Sequence, residues 1–300
     1  MKKIRLAVVL PVKDDVTSLK ILIGQIRECF IDRNVDLHFT IIDDHSQIPI
    51  RSKDLFPKID LKIVRNPYNQ GHQKSIITGL SELRHNTRID YVAVMDADGE
   101  DDPNHLPVLL EVLTKNTSTV GIIAVRGSRH STWKFLFSYK FFQLLFLVLI
   151  GKKFGSGNFM MFTANSINTL LTIPKNKLSL VASAIRHVDN LGYVRLDRGR
   201  RIDGSSKMSL TRLVDHALSI FAVFADLILL RILLLIAVLS FLLSIGVATI
   251  VVLKTLGSFE LVAGVTSSIL IQLLSVFFLF LNFALFSTIS ILILKRLEDR

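Results

Sequence analysis

Along the first 125 residues, short apolar runs alternate with longer stretches in which apolar positions recur every three or four residues. Leu6–Val12, Leu37–Ile42, Leu61–Val64, Tyr91–Met95 and Val120–Val125 predict strands. Val16–Phe30, Gln73–Leu83 and Pro103–Leu113 predict the helices between them. Strands that are apolar at nearly every position are buried on both faces. With helices between them, they predict an α/β domain around a parallel sheet.

The pattern changes toward the C-terminus. Residues 232–253 form 22 consecutive positions without a charge, and residues 261–294 form 34. At 1.5 Å per residue the first is a helix of about 33 Å, which fits a hydrocarbon core of roughly 30 Å. The second is longer than a crossing needs and predicts a tilt or a start in the interface. Two further segments, Trp133–Ile150 and Ser209–Leu230, are apolar but shorter or more polar. In the latter, Arg212, Asp215, Ser219 and Asp226 recur at helical spacing and make a polar stripe. Both are expected to lie along a membrane surface, with amphipathic core helices as the alternative. The expected division is therefore residues 1–208 as a catalytic domain, 209–230 as a juxtamembrane helix, and 231–300 as a two-helix membrane region.

Charge supplies an orientation. The net charge is +11, nearly all of it in residues 1–231. Such an excess beside two spans suits anionic headgroups or phosphate substrates. Nucleic acid is set aside, because no recognition-helix, zinc-finger or aromatic-basic pattern accompanies the charge. Lys207, Arg212 and Arg231 precede the first span, Lys295, Arg296 and Arg300 follow the second, and the connecting loop has only Lys254. The positive-inside rule then places both termini and the catalytic domain in the cytoplasm of a multi-pass plasma (inner) membrane protein. Lys2, Lys3 and Arg5 before Leu6–Leu10 resemble an export signal, but the apolar run is too short and predicts a first strand. Cys29 is the only cysteine, so no intramolecular disulfide forms, in keeping with a reducing compartment.

The acids mark the chemistry. Asp14 and Asp15, Asp43 and Asp44, and Asp96 and Asp98 each follow a predicted strand. The carboxyl edge of an open parallel sheet is where such folds bind ligands. A single acid there is an ordinary cap, but three clusters on one edge suit a metal or a polyhydroxyl ligand. The sharpest is Asp96-Ala-Asp98, where two carboxylates leave a strand before Pro103. Hard Mg2+ or Mn2+ takes such oxygens and bridges a diphosphate, neutralising it as a leaving group. No G-x-G-x-x-G follows the first strand and no P-loop occurs, which removes the dinucleotide and P-loop readings. The spacings of His72, His187 and His216 do not suggest a zinc site, and each is expected to be a structural or surface residue. Asn116-Thr-Ser118 fits a glycosylation sequon by chance.

Five stretches, in order, carry a resemblance. They are Val9-Leu-Pro-Val-Lys-Asp-Asp15, Ile41-Ile-Asp-Asp-His-Ser46, Arg65-Asn-Pro-Tyr-Asn-Gln-Gly-His-Gln-Lys-Ser75, Asp96-Ala-Asp-Gly-Glu-Asp-Asp-Pro103 and Arg201-Ile-Asp-Gly-Ser-Ser-Lys207. Together with two terminal spans, they resemble the inverting glycosyltransferases of family 2. The branch is that of dolichyl-phosphate mannose synthase and the bacterial polyprenyl-phosphate glucosyltransferases. Lys13, Glu100 and Asp102 depart from the usual residues, as does Gly157-Asn-Phe-Met-Met161, where many members carry an acid and an Arg. The resemblance implies a GT-A domain. It implies that Pro11, Asp15, Asp43, Asp44 and Asp96 hold a nucleotide sugar, UDP- or GDP-linked, and that Asp96, Asp98 and Glu100 hold Mg2+ or Mn2+. Arg129, Arg201, Ser206 and Lys207 would face the phosphates of donor or acceptor. Asp96, Asp98, Arg201 and Lys207 would then be the catalytic set.

The implied reaction moves a sugar onto a polyprenyl phosphate for cell-envelope glycan modification. The implied partners extend to a flippase or downstream glycosyltransferase and to a second copy of the chain. A phosphate monoester is largely a dianion at pH 7, so this acceptor needs orientation and charge screening but no general base. The cluster Arg198, Arg200, Arg201 and Lys207 around Gly204-Ser-Ser206 suits that task. A processive polysaccharide synthase would carry a Q-x-x-R-W motif, and the only Trp, Trp133, lies outside one. A non-catalytic membrane scaffold and a transferase to another lipid or glycan are the remaining alternatives.

Overall fold

The computed structural model describes residues 3–56, 59–127, 133–152, 155–173, 175–197, 199, 201–203, 210–257 and 265–298. The chain divides into two units: residues 1–146 with 153–223, and residues 147–152 with 224–300.

The first unit is built on a seven-stranded sheet in the order β3-β2-β1-β4-β6-β5-β7. Its strands are β1 (Ile4–Val12), β2 (Val35–Asp43), β3 (Leu61–Arg65), β4 (Tyr91–Val94), β5 (Gly121–Arg126), β6 (Ser156–Thr163) and β7 (Leu191–Leu196). The central strand β1 is buried from Leu6 to Val12, as its unbroken apolar run requires. Helices α1 (Val16–Glu28), α2 (His72–Leu83) and α3 (Leu106–Lys115) follow strands β1, β3 and β4. Leu19, Leu22, Ile23 and Ile26 form the buried stripe of α1. α2 lies flush on the sheet at Gly79, where an added Cβ would stand 2.4 Å from Val9 Cγ1.

The sheet is mixed, which corrects the expected parallel one. β1 to β4 pair in parallel, as do β5 and β7, but β6 runs antiparallel to both β4 and β5. The cause is the connection. The chain leaves β5 at Arg126 and re-enters the sheet at Ser156, which pairs with Val125. Helix α4 (Trp133–Ile150) thus starts and returns on one edge instead of crossing to the other. The short helices α5 (Ile167–Thr172) and α6 (Leu180–His187) then lead to β7.

The segment Ser209–Leu230 is divided. α7 (Leu210–Val223) ends before the fully buried Phe224, and α8 (Ala225–Thr255) begins after it. The Val223 carbonyl accepts from the Arg186 guanidinium. Phe221 of α7 packs on Phe142 and Phe146 of α4, with centroids 5.4 and 5.9 Å apart. Away from that contact, Phe141 and Leu144 of α4 and Val214 and Leu218 of α7 are exposed.

In the second unit α8 and α9 (Val265–Glu298) each contain an apolar window, Ala225–Leu253 and Ile271–Ser290, of mean hydropathy 2.8 and 2.0. Both are long and apolar enough to cross a membrane by length and composition.

One ion pair fastens the β2–β3 edge. Asp43, fully buried at the end of β2, accepts from Arg65 Nη1 at 2.7 Å, from Ser46 N at 2.8 Å and from Ile50 N at 3.3 Å. Burial alone would raise its pKa. The bonds from Ser46 and Ile50 and the Arg65 charge outweigh burial and hold it below the ordinary 3.8. Stability from such a depressed carboxylate is present above 3.8 and is lost as pH falls through the folded value. Arg65→Met leaves a buried carboxylate without its countercharge and should destabilise the protein by about 2–3 kcal/mol at pH 7, because Arg65 is partly exposed. Thermal unfolding of the purified chain in detergent measures the deficit, which should close as pH drops below 3.8. A deficit unchanged at acid pH would assign the loss to packing.

Candidate active site

The carboxyl ends of β1, β2, β3 and β4 lie on one edge, and most residues of interest are in the turns that follow. Pro11 is buried within β1, paired with Ile42. Asp14 adopts φ 51°, where its amide donates to Ser46 Oγ and its carboxylate accepts from Gln47 N. Asp15 caps α1 by accepting from Ser18 N at 3.1 Å. Asp44 gathers the turn after β3. Its carboxylate accepts from Asn66 Nδ2 at 2.8 Å, Gln70 N at 2.8 Å and Gly71 N at 2.9 Å. The Asn69 amide, oriented to satisfy both its neighbours, donates to Asp44 and accepts from Lys13, each at 2.8 Å. Lys13, where the resemblance leads one to expect an aromatic residue, thus joins the same cluster.

β4 ends at Val94, and Met95 still donates to Val9 O, so Asp96 is the first residue clear of the sheet. The tight turn that follows is closed by Asp101 accepting from Asp96 N and by Asp98 accepting from Glu100 N. Gly99 sits at φ 82°, and a Cβ there would stand 2.5 Å from Ile202. That close approach lets the segment 199–202 dock by backbone: Gly199 N donates to Glu100 O and Ile202 N to Asp98 O. Arg201 is thereby held against two of the predicted metal residues. Its Nη2 is 2.7 Å from Asp98 and its Nε 3.3 Å from Glu100. Burial, and then the Asp96 carboxylate, raise the Asp98 pKa above its ordinary value against the lowering effect of Arg201.

His72, expected to be a structural or surface residue, is exposed and stands beside Asp96. Its Nε2 is 3.0 Å from Asp96 Oδ1 and 2.9 Å from Asn158 Nδ2. Burial would lower the His72 pKa, but Asp96, Asp101 and Asp98 outweigh it and leave it raised. Gln73 bridges Asn158 Oδ1 at 2.9 Å and the Leu180 amide at 3.0 Å. Asn158 reaches the edge because β6 is antiparallel: with Val94 opposite Met160, the register brings residue 158 opposite Asp96. The available signal for His72 was its position at the first turn of a helix after the Gly71 bend. The signal for Asn158 was the stretch Gly157–Met161, noted as a departure from the family pattern but given no role.

Among the described residues, no group of three or more His, Cys, Asp or Glu side chains could hold a metal ion. A cation that bridges a diphosphate needs only one or two carboxylates, with substrate oxygens and water completing the shell. Asp96 and Asp98 are the carboxylates here that could face such a cation, Asp98 being also paired with Arg201. Arg129, Ser206 and Lys207, with Arg198 and Arg200, lie outside the described residues.

Comparisons with known proteins bear on the fold that carries this edge. Glucosyl-3-phosphoglycerate synthase from Mycobacterium tuberculosis, solved with Mn2+, UDP-glucose and phosphoglyceric acid, is similar at a TM-score of 0.53 and 14% identity. The match covers 75% of this chain and 79% of that one. Mannosyl-3-phosphoglycerate synthase from Rubrobacter xylanophilus is similar at a TM-score of 0.56 and 13% identity, covering 74% and 73%. At such identities the likeness is one of fold, a GT-A-like α/β domain with a mixed sheet. No curated protein sequence matches the chain. Residues 8–171 match the sequence model of glycosyl transferase family 2, a span running from β1 through the Asp96–Asp98 turn into α5 and covering more than half of the molecule, so the chain belongs to that family.

Proposed function

We propose that this glycosyltransferase moves a sugar from a nucleotide sugar to a polyprenyl phosphate at the cytoplasmic face of a membrane. The observation that carries the proposal is Arg201. It is bound to Asp98 and Glu100, and in the sequence it lies nine residues before α7, which leads directly into α8. The donor-facing turn and the segment entering the apolar helices are therefore tied by one side chain. The exposed apolar positions of α4 and α7 suit a domain resting on headgroups.

Asp96 and Asp98 are the residues that would hold Mg2+ or Mn2+, which neutralises the diphosphate leaving group when bound. The Mn2+ and UDP-glucose in the Mycobacterium tuberculosis structure favour the same donor class here. Asp43 and Asp44 shape the nucleotide end of the pocket through the turns they hold, and Pro11 and Asp15 fix the β1–α1 turn beside them. Arg201 spends two donors on Asp98 and Glu100, and a guanidinium has five, so three remain for phosphate oxygens. With Arg129, Ser206 and Lys207 it would orient an acceptor that is already ionised near pH 7.

Purified protein incubated with undecaprenyl phosphate and a panel of UDP- and GDP-sugars should give a lipid-linked sugar by mass spectrometry. Product on 3-phosphoglycerate alone would move the assignment to a soluble acceptor. Asp98→Asn should reduce lipid transfer below a tenth of wild type while the protein remains folded and membrane-inserted. Retention of more than a tenth under saturating Mg2+ and Mn2+ would remove the metal role. Lys207→Ala should reduce transfer roughly ten- to a hundredfold, the loss of one charge-assisted bond to phosphate. Lys207→Arg should recover only part, because a planar fork does not replace a point charge. Wild-type rates in both variants across lipid concentrations would reduce the cluster to a topology signal. A reporter fused after Arg300 should be active in the cytoplasm. Activity only outside it would overturn the orientation.

A further inference from the structure

Helix α9 carries two rows of side chains, each advancing in alternating steps of three and four residues. The first is Leu273, Phe277, Phe280, Ala284 and Ser287, none of them exposed. Phe277, Phe280 and Ala284 line a groove with Ile236, Ala237 and Ser240 of α8, so this row is the seam of the helix pair. The second is Gln272, Ser275, Leu279, Asn282, Phe286 and Ile289, all of them exposed. At about 100° per residue, Asn282 stands roughly 140–200° around the helix from Phe277, Phe280 and Ala284. It faces away from α8.

Asn282 is costly on a surface that meets lipid. Within the apolar window Ile271–Ser290 it lies about 17 Å from one end and about 12 Å from the other, too deep for so short a side chain to reach the interface. Its amide brings two N–H donors and an acceptor oxygen. One N–H bonds the Phe278 carbonyl of its own helix at 2.9 Å. The other N–H and Oδ1 have no partner among the described residues. Ser275 differs, since its single donor is spent on the Ile271 carbonyl at 2.8 Å. The sequence of α8 holds no Asn or Gln, and hydrocarbon supplies no water to take the place of one.

We propose that the outer row of α9 is a self-association surface: two copies of the chain pack these rows together in parallel, and Asn282 pairs with its counterpart. This rests on the reading that α8 and α9 cross a membrane. An amide is its own complement. Two of them set face to face exchange N–H···O bonds in both directions and leave neither group over. Copies inserted with one topology carry Asn282 at the same depth, and a two-fold axis along the membrane normal brings it opposite itself. A different helix would need both a donor and an acceptor at that one depth. Leu279 and Phe286, the most exposed large apolar side chains described on α9, flank Asn282 on the row and supply the packing. Steps of three and four are those of a left-handed helix pair, in which one polar position fixes register and partner number.

The test uses the full chain, first in membranes and then in vesicles of phosphatidylcholine and phosphatidylglycerol. With Cys29, the only cysteine, replaced by Ser, Leu279→Cys and Phe286→Cys should give a disulfide-linked dimer on mild oxidation. Leu274→Cys and Leu281→Cys, exposed but off the row, should not. In vesicles, chains labelled at the native Cys29 report association by energy transfer across a range of protein-to-lipid ratios. Asn282→Leu should weaken association about tenfold, and Asn282→Gln should keep most of it. Asn282→Leu makes α9 more apolar, so failed insertion does not explain a loss. Equal dimer yields at all four cysteine positions, or wild-type association in Asn282→Leu, overturn the proposal. Wild type that is monomeric at every ratio also overturns it and leaves the row to a different protein's helix. Retention after alkaline carbonate extraction is scored alongside. A chain that stays embedded but fails these tests loses the self-association alone, and one that is extracted loses the membrane reading as well.

Discussion

The carboxylate of Asp44 is the contact on which the site's geometry depends. It takes two consecutive backbone amides, Gln70 and Gly71, together with the side chain of Asn66 from the end of β3. Those bonds fix where α2 starts, because Gly71 is the residue before its first turn and holds φ 86°. His72 and Gln73 follow at once, so their aim toward Asp96 and Asn158 is set by a carboxylate on a different strand. Asp43, one residue earlier, anchors the same edge inward through Arg65. The pair divides the work: one acid holds β2 to β3, and the other carries that order to the helix bearing the site.

Much of this was legible in the sequence, for a physical reason. β1, β2, β4 and β5 and the inner faces of α1 to α3 are buried by the sheet's own layers, so their hydrophobic periods are clean and their existence follows from pattern, as does the shorter apolar run of the edge strand β3. The long apolar α8 and α9 were legible in the same way. β6 and β7 were not. Ser156-Gly-Asn158 opens one with small polar residues, and Leu191-Gly-Tyr-Val-Arg-Leu196 carries a charge and alternates in exposure. The antiparallel direction of β6 follows from where α4 returns the chain, a tertiary outcome that no window of sequence contains. Asp96 and Asp98 stood out because two acids after a strand are locally unusual. His72 and Asn158 did not, since each becomes meaningful only when α2 and β6 meet at the same edge.

The acids of the Asp96–Asp102 turn likewise divide into those that build and those that remain for chemistry. Asp101 spends an oxygen on the Asp96 amide and Asp102 caps the helical turn beginning at Pro103, so both are committed to shape. Asp98 and Glu100 face Arg201. The guanidinium there supplies positive charge that limits the repulsion among the carboxylates. It is a partial countercharge, since Asp98 stays raised even beside it. The turn thus retains a deficit of positive charge, and that deficit gives a divalent ion or a proton a reason to bind.

Which side chains meet at this turn is decided by the antiparallel strand. In an all-parallel sheet the neighbour of β4 would end, not begin, at the carboxyl edge, and an amide on its entering turn could not stand opposite Asp96. Because β6 enters there, Asn158 meets both Gln73 and His72, and the Leu180 amide at the start of α6 fixes the sense of every bond between. A hydrogen-bond chain anchored by a backbone donor cannot reverse without leaving that donor unpaired, a cost buried polar groups avoid. Fold topology therefore reaches the chemistry through one bit of information: which end of each amide faces the next. The strand that sequence pattern could not foresee is the one that brings Asn158 against His72 and Gln73 at the site.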